Sequence, residues 1–95
     1  MTQKLNYNTK KDIANAFYNA AVHFERGNEH SELGSSEIFG ARVMIGTLHT
    51  AGVLDDLLYD WLKSLLERMR DEAAKGRPIE SNDVFNGVYR VLFNS

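Results

Sequence analysis

Residues 54–75, LDDLLYDWLKSLLERMRDEAAK, decide the fold class. Leu54, Leu57, Leu58, Trp61, Leu62, Leu65 and Met69 recur at intervals that set them along one side of an α-helix. Asp55 and Asp56 stand where the positive end of the helix dipole favours acids, and Lys75 and Arg77 where the negative end favours bases. The opposite side carries Lys63–Glu67, Arg68–Glu72 and Asp71–Lys75, oppositely charged and one turn apart. Gly76-Arg77-Pro78 then stops the helix.

The same period extends to both sides of this segment. Upstream, Ile38, Ala41, Ile45 and Leu48 form a stripe that Ser35 or Ser36 caps, with Glu37 in its first turn and Gly52 at its end. Gly40 and Gly46 lie inside that helix, which they weaken, and they point to a face where another backbone comes close. Residues 27–36 are polar and rich in turn formers, and read as the longest loop. Further upstream, Thr9 and Asp12 form a variant capping box before Ile13, Ala16, Phe17, Ala20 and Phe24, and Gly27 ends the helix. Downstream, Ser81 opens a helix holding Val84, Val88, Val91 and Leu92. The expected fold is therefore all-α: a small bundle of four helices at 9–26, 37–51, 54–75 and 82–93. Only a few residues join the second and third, which makes them a central helical hairpin. One helical domain spans 1–95, with 1–8 as a flexible N-terminus.

Composition removes several classes of function. The formal charge of −2 in 95 residues gives no electrostatic case for nucleic acid or an anionic membrane. The absence of cysteine excludes disulfides, thiolate zinc sites and cysteine nucleophiles, and fits a cytoplasmic protein. Residues 1–11 have no apolar signal-peptide core, and no segment reaches the roughly 18 apolar residues of a membrane span.

Apolar surface is the most informative excess. With Tyr59 and Leu66 included, the third helix is apolar over about 200°, where a surface helix needs little more than about 100°. The first, through Ala14, Tyr18, Ala21 and Val22, and the fourth, through Phe85, Tyr89 and Phe93, are similarly broad. These helices cannot all be central in so short a chain. Partial exposure of alanine and tyrosine at the arc edges is one explanation. The sharper one is a protein–protein surface, most simply a homo-oligomer, formed by Tyr18, Val22, Tyr59, Leu66, Tyr89 and Phe93.

No chemical motif competes with that reading. His23, His30 and His49 belong to no HExxH or ExxH pattern. His23 falls on the polar face of the first helix, and His49 near a helix C-terminus. Glu29, His30 and Glu32 share the long loop, where a solvated cluster is the plain explanation. Asp56 and Asp60 lie one turn apart, as paired acids for proton transfer or Mg²⁺ would, but Asp55 and Asp56 also serve as cap and first-turn acids. No catalytic residue, metal or cofactor is expected. Tyr7, Lys10, Lys11 and Arg26 are the residues that would take a small anionic ligand, by ring stacking and charge. Ala51-Gly52-Val53 followed by Leu58 and Trp61 has helix-turn-helix spacing, but it would aim Asp55, Asp56, Tyr59 and Asp60 at a groove lined with phosphate. The expected function is a small non-enzymatic protein-binding module, oligomeric, acting as an inhibitor or adaptor of the kind phages and mobile elements often encode. Its partner is a protein or a second copy, with no membrane. A nucleotide- or metabolite-sequestering oligomer is the first alternative and a helix-turn-helix-like nucleic-acid binder the second.

Overall fold

A computed structural model describes residues 5–25, 31–77 and 79–94. Its helices are α1 (Tyr7–Glu25), α2 (Ser31–Thr50), α3 (Asp56–Ala74) and α4 (Ser81–Phe93). They form a small all-α bundle 44 Å long and 21 × 19 Å across. The fold class is the one the helical period implies, and α3 lies within the segment that implied it. Asp55 caps α3 by accepting from the Leu58 backbone N–H at 2.8 Å.

Two helix starts differ from the sequence reading. α1 begins at Tyr7, and the capping side chain is Asn6, whose Oδ1 accepts from the Thr9 N–H at 2.8 Å. Asparagine outranks threonine at this position, so the cap moves upstream. Asn6 to Asn8 thus belong to the helix start, and Leu5 packs against the core; residues 1–4 lie outside the described set.

The larger correction concerns α2. It begins at Ser31, so the second half of the expected loop 27–36 is helix, while 26–30 lie outside the described residues. Ser35 and Ser36 are exposed interior positions and cap nothing. Gly34 supplies the reason. A Cβ built there would sit 2.8 Å from the Phe24 ring, so the missing side chain is what lets Phe24 of α1 lie on the α2 backbone. That contact outweighs the weak helix propensity of Gly34-Ser35-Ser36. Gly40 and Gly46, expected at a close backbone approach, have no atom within 4 Å of a built Cβ.

α1 is the central helix and packs against both α2 and α4, while α3 packs chiefly on α2. Ile13, Ala14, Phe17, Ala20 and Ala21 are all 0 % exposed. Phe17 and Ile13 fill the interior, and the alanines bring neighbouring helices close on either flank. Ile45, Leu62, Leu66, Val88 and Leu92 complete the innermost layer.

α3 is rotated relative to the sequence expectation. It buries Leu58, Leu62, Leu66 and Met69, and leaves Leu57 84 % and Trp61 40 % exposed. The position of α2 sets this rotation: Arg42 pairs with Glu67 at 3.1 Å, and the His49 ring stacks on Tyr59. α2 therefore covers the Tyr59–Leu66 edge of α3, and the Leu57–Trp61 edge turns outward.

Both tight turns follow one recipe. Gly52 (φ +79°) and Gly76 (φ +72°) end α2 and α3 in the left-handed conformation that glycine adopts without penalty. Gly52 N donates to His49 O and Val53 N to Leu48 O; Gly76 N donates to Ala73 O and Arg77 N to Glu72 O. These are paired Schellman bonds that satisfy the last carbonyls of each helix. Arg77 adds a side-chain contact to Glu72 at 3.5 Å.

α4 is capped from elsewhere in the chain. Glu80 precedes it without a side-chain cap bond, and the Ser81 N–H donates to Glu25 Oε2 at 3.0 Å. The last residue of α1 thus places a carboxylate on the positive end of α4. Hydrogen bonds from the Ser81 side chain and backbone hold the Glu25 carboxyl below its usual range. A hydrogen bond and charge repulsion from Asp83 push Glu80 above it. The two shifts act oppositely on stability. A lowered acid stabilises the fold above its unfolded pKa and loses that contribution as pH falls through its folded pKa; a raised acid does the reverse. Glu25→Gln is therefore expected to destabilise the protein at neutral pH, with the gap from wild type closing on acidification below the ordinary glutamate range. Urea titrations at stepped pH check this, and a gap that is constant or widens in acid contradicts the cap.

Candidate interaction surface

One flank of α4 repeats an aromatic residue once per turn: Phe85, Tyr89 and Phe93. α1 runs antiparallel beside it, with Tyr18 near the start of α4, Tyr7 near its end and Glu25 at its cap. Spacing brings Tyr7, Ala14 and Tyr18 to one side of α1. The rings from the two helices meet in a continuous row.

Tyr18 meets Phe85 edge-on, with centroids 5.8 Å apart. Phe85 leans on Tyr89 at 5.8 Å, and Tyr89 stacks on Phe93 at 4.1 Å. Phe93 meets Tyr7 edge-on at 5.5 Å, and the Lys10 ammonium lies 5.2 Å from the Phe93 centroid. Such ring pairs contribute about 0.5–1.5 kcal/mol each beyond the area they bury. The row is nonetheless open to solvent: Tyr7 is 59 % and Tyr89 38 % exposed.

Of the residues expected at an interface, Tyr18, Tyr89 and Phe93 fall in this row, and Val22 is half-buried farther along α1. Tyr59 belongs to another part of the molecule. Its ring stacks on His49 at 4.2 Å and 7°, and the Lys63 ammonium lies 6.0 Å away. Leu66 is a correction: at 1 % exposure it is core, because α2 covers the edge of α3 that carries it. Tyr7 was missed as an interface residue, although its heptad spacing to Ala14 was the available signal.

Of the candidate anion-binding residues, Tyr7, Lys10 and Lys11 lie in the first half of α1. Tyr7 and Lys10 both rest on Phe93, and Lys11 is exposed. Arg26 lies outside the described residues.

A second polar arrangement spans the α2–α3 turn. His49 Nε2 lies 2.6 Å from Asp56 Oδ1, and the stack on Tyr59 fixes the imidazole plane. The Asp56 side chain is 91 % exposed, so water screens this pair, and it serves as a clip across the turn. Asp60 is exposed one turn on. Of the two residues that gave the helix-turn-helix spacing, Leu58 is buried and Trp61 is 40 % exposed. His23, expected on the exposed polar face of α1, is half-buried with Nε2 4.0 Å from Glu37 of α2. Among the described residues no three acidic or histidine side chains gather as metal ligands; Glu29, His30 and the Glu32 side chain lie outside that set. No described helix is long and apolar enough to cross a membrane. Comparison with protein families, curated proteins and solved structures finds no match to this chain.

Proposed function

We propose that this chain is a small non-enzymatic protein-binding module that acts as an inhibitor or adaptor by covering a surface on another protein. The observation that carries the reading is the aromatic row of α1 and α4, which remains partly open to solvent at Tyr7 and Tyr89. Aromatic side chains offer large contact area at low entropic cost, and they dominate the energetics of interfaces. The rings are already braced against one another, so little further ordering is needed on binding. Lys10 at one end of the row adds a cation for an acidic group of the partner. The cysteine-free composition suits the cytoplasm.

The test is quantitative capture of host proteins by wild type and by the double variant Tyr7→Glu, Tyr89→Glu. Both positions are exposed, so the helical fold should be kept with circular dichroism unchanged, while loss of the Tyr7–Phe93, Phe85–Tyr89 and Tyr89–Phe93 ring contacts lowers stability by roughly 1.5–4.5 kcal/mol. Loss of two anchors is expected to weaken the partner by at least about 30-fold. If each protein retained by wild type is also retained by the folded variant, the row is not the binding surface.

A further inference from the structure

The aromatic row is bracketed by two tyrosines of α1, Tyr18 against Phe85 and Tyr7 against Phe93. Steps of three and four residues bring Lys11 and Asn15 to the Tyr7–Tyr18 side of α1, and Asn82 and Asn86 to the Tyr89–Phe93 side of α4. Asn15, Asn82 and Asn86 are exposed. Among the described residues, their amides and the hydroxyls of Tyr7, Tyr18 and Tyr89 hydrogen-bond to no other protein group. The rings thus form a trough whose margins carry polar groups that the fold does not use.

The two ends of the trough differ. At one end Asn15, Tyr18, Asn82 and Phe85 line a hollow of about 310 Å³. At the other, the Lys10 ammonium lies 5.2 Å from the Phe93 centroid, and Lys11 is exposed. Tyr7 and Tyr18 stand about 16 Å apart along α1. That is the reach of about five residues of polyproline II chain at about 3.1 Å each. We propose that the trough takes an extended, proline-rich segment of a partner protein, with an acidic residue at the Lys10–Lys11 end. This rests on the protein-binding reading above and names the chemistry of the partner.

Hydrogen bonding selects the segment. A partner helix satisfies its own backbone and offers these amides and hydroxyls nothing but side chains. A partner strand needs a sheet edge, which a pair of helices does not have. A polyproline II segment makes no internal hydrogen bonds, and each proline has a carbonyl but no N–H. Its carbonyls suit side-chain donors such as Asn15, Asn82 and Tyr89, while its rings pack on aromatic faces. The hollow beside Tyr18 and Phe85 has room for a pyrrolidine ring. Such a chain is already extended, so it loses little entropy on docking. Charge then sets its polarity, because Lys10 and Lys11 favour an acid at their end of the row.

Isothermal titration of the full chain with synthetic peptides tests the proposal. The probes are runs of about eight prolines with paired glutamates, or paired lysines, at the N-terminus or the C-terminus. One glutamate peptide is expected to bind with a Kd of about 10–300 μM, and its lysine counterpart at least about 10-fold more weakly. Lys10→Glu, Lys11→Glu is expected to reverse that preference. Asn15→Ala, Asn82→Ala keeps every ring and is expected to weaken binding by at least about 10-fold. Leu57→Glu, on the exposed side of α3, is expected to bind as wild type does. No binding of any proline peptide at about 1 mM overturns the proposal. So does undiminished binding by the asparagine variant, or tighter binding of an acidic amphipathic helix than of the proline peptides. Failure of the peptides beside capture of host proteins through the row overturns the proline-rich segment and leaves the protein-binding reading in place.

Discussion

Phe17→Ala is expected to lower the unfolding free energy by about 3–5 kcal/mol, with a matching fall in the urea midpoint and an unchanged m-value. A chain of 95 residues has roughly 5–14 kcal/mol in total, so this one change removes a large share of it. Phe17 is 0 % exposed on the helix that both α2 and α4 pack against. Ala14, Ala20 and Ala21 flank it on α1 and have no side-chain length with which to refill the space, so the cavity persists. Trp61→Ala removes a larger side chain, but one that is 40 % exposed and leaves no closed cavity. Its expected cost is about 1–2 kcal/mol. The rotation of α3 described above is wrong if the tryptophan variant proves as damaging as the phenylalanine variant.

Leu66→Glu is expected to abolish the folded state or to cost about 4 kcal/mol or more. The site is 1 % exposed, and a carboxylate there must either give up its charge or draw water into the bundle. Leu57→Glu changes the same residue type on the same helix. At 84 % exposure it should shift stability by no more than about 0.5 kcal/mol. Far-UV circular dichroism with urea unfolding reads both. Equal tolerance of the two variants would mean that Leu66 faces solvent, as the width of the apolar arc alone had implied.

The helical period was enough to name the fold class, because apolar residues three and four apart admit no strand. It was not enough to orient α3. An arc of about 200° has two edges that look alike on a wheel, and only the position of α2 decides which is covered. Leu66 was misplaced on the surface and Trp61 in the core for this one reason. The glycines mislead in the same way. Composition shows that a side chain is missing at 34, 40 and 46, but not that Phe24 occupies the first gap and nothing occupies the others. Helix starts depend on competition among nearby caps, and at α1 Asn6 prevails over Thr9. In the aromatic row, Tyr18, Tyr89 and Phe93 were visible as arc edges. That Tyr7 joins them depends on the antiparallel pairing of α1 with α4, a contact between segments far apart along the chain.

That long-range pairing has a consequence for synthesis. α1 leaves the ribosome ahead of α4, yet one of its flanks waits for α4, and Glu25 waits for Ser81, until more than fifty further residues have been added. At about 5–20 residues per second the delay lasts seconds, long compared with the microseconds in which a helix forms. During that interval a nascent chain holding α1 to α3 displays the groove that α4 will fill, and a chaperone or a neighbouring nascent chain meets that groove before the finished protein exists.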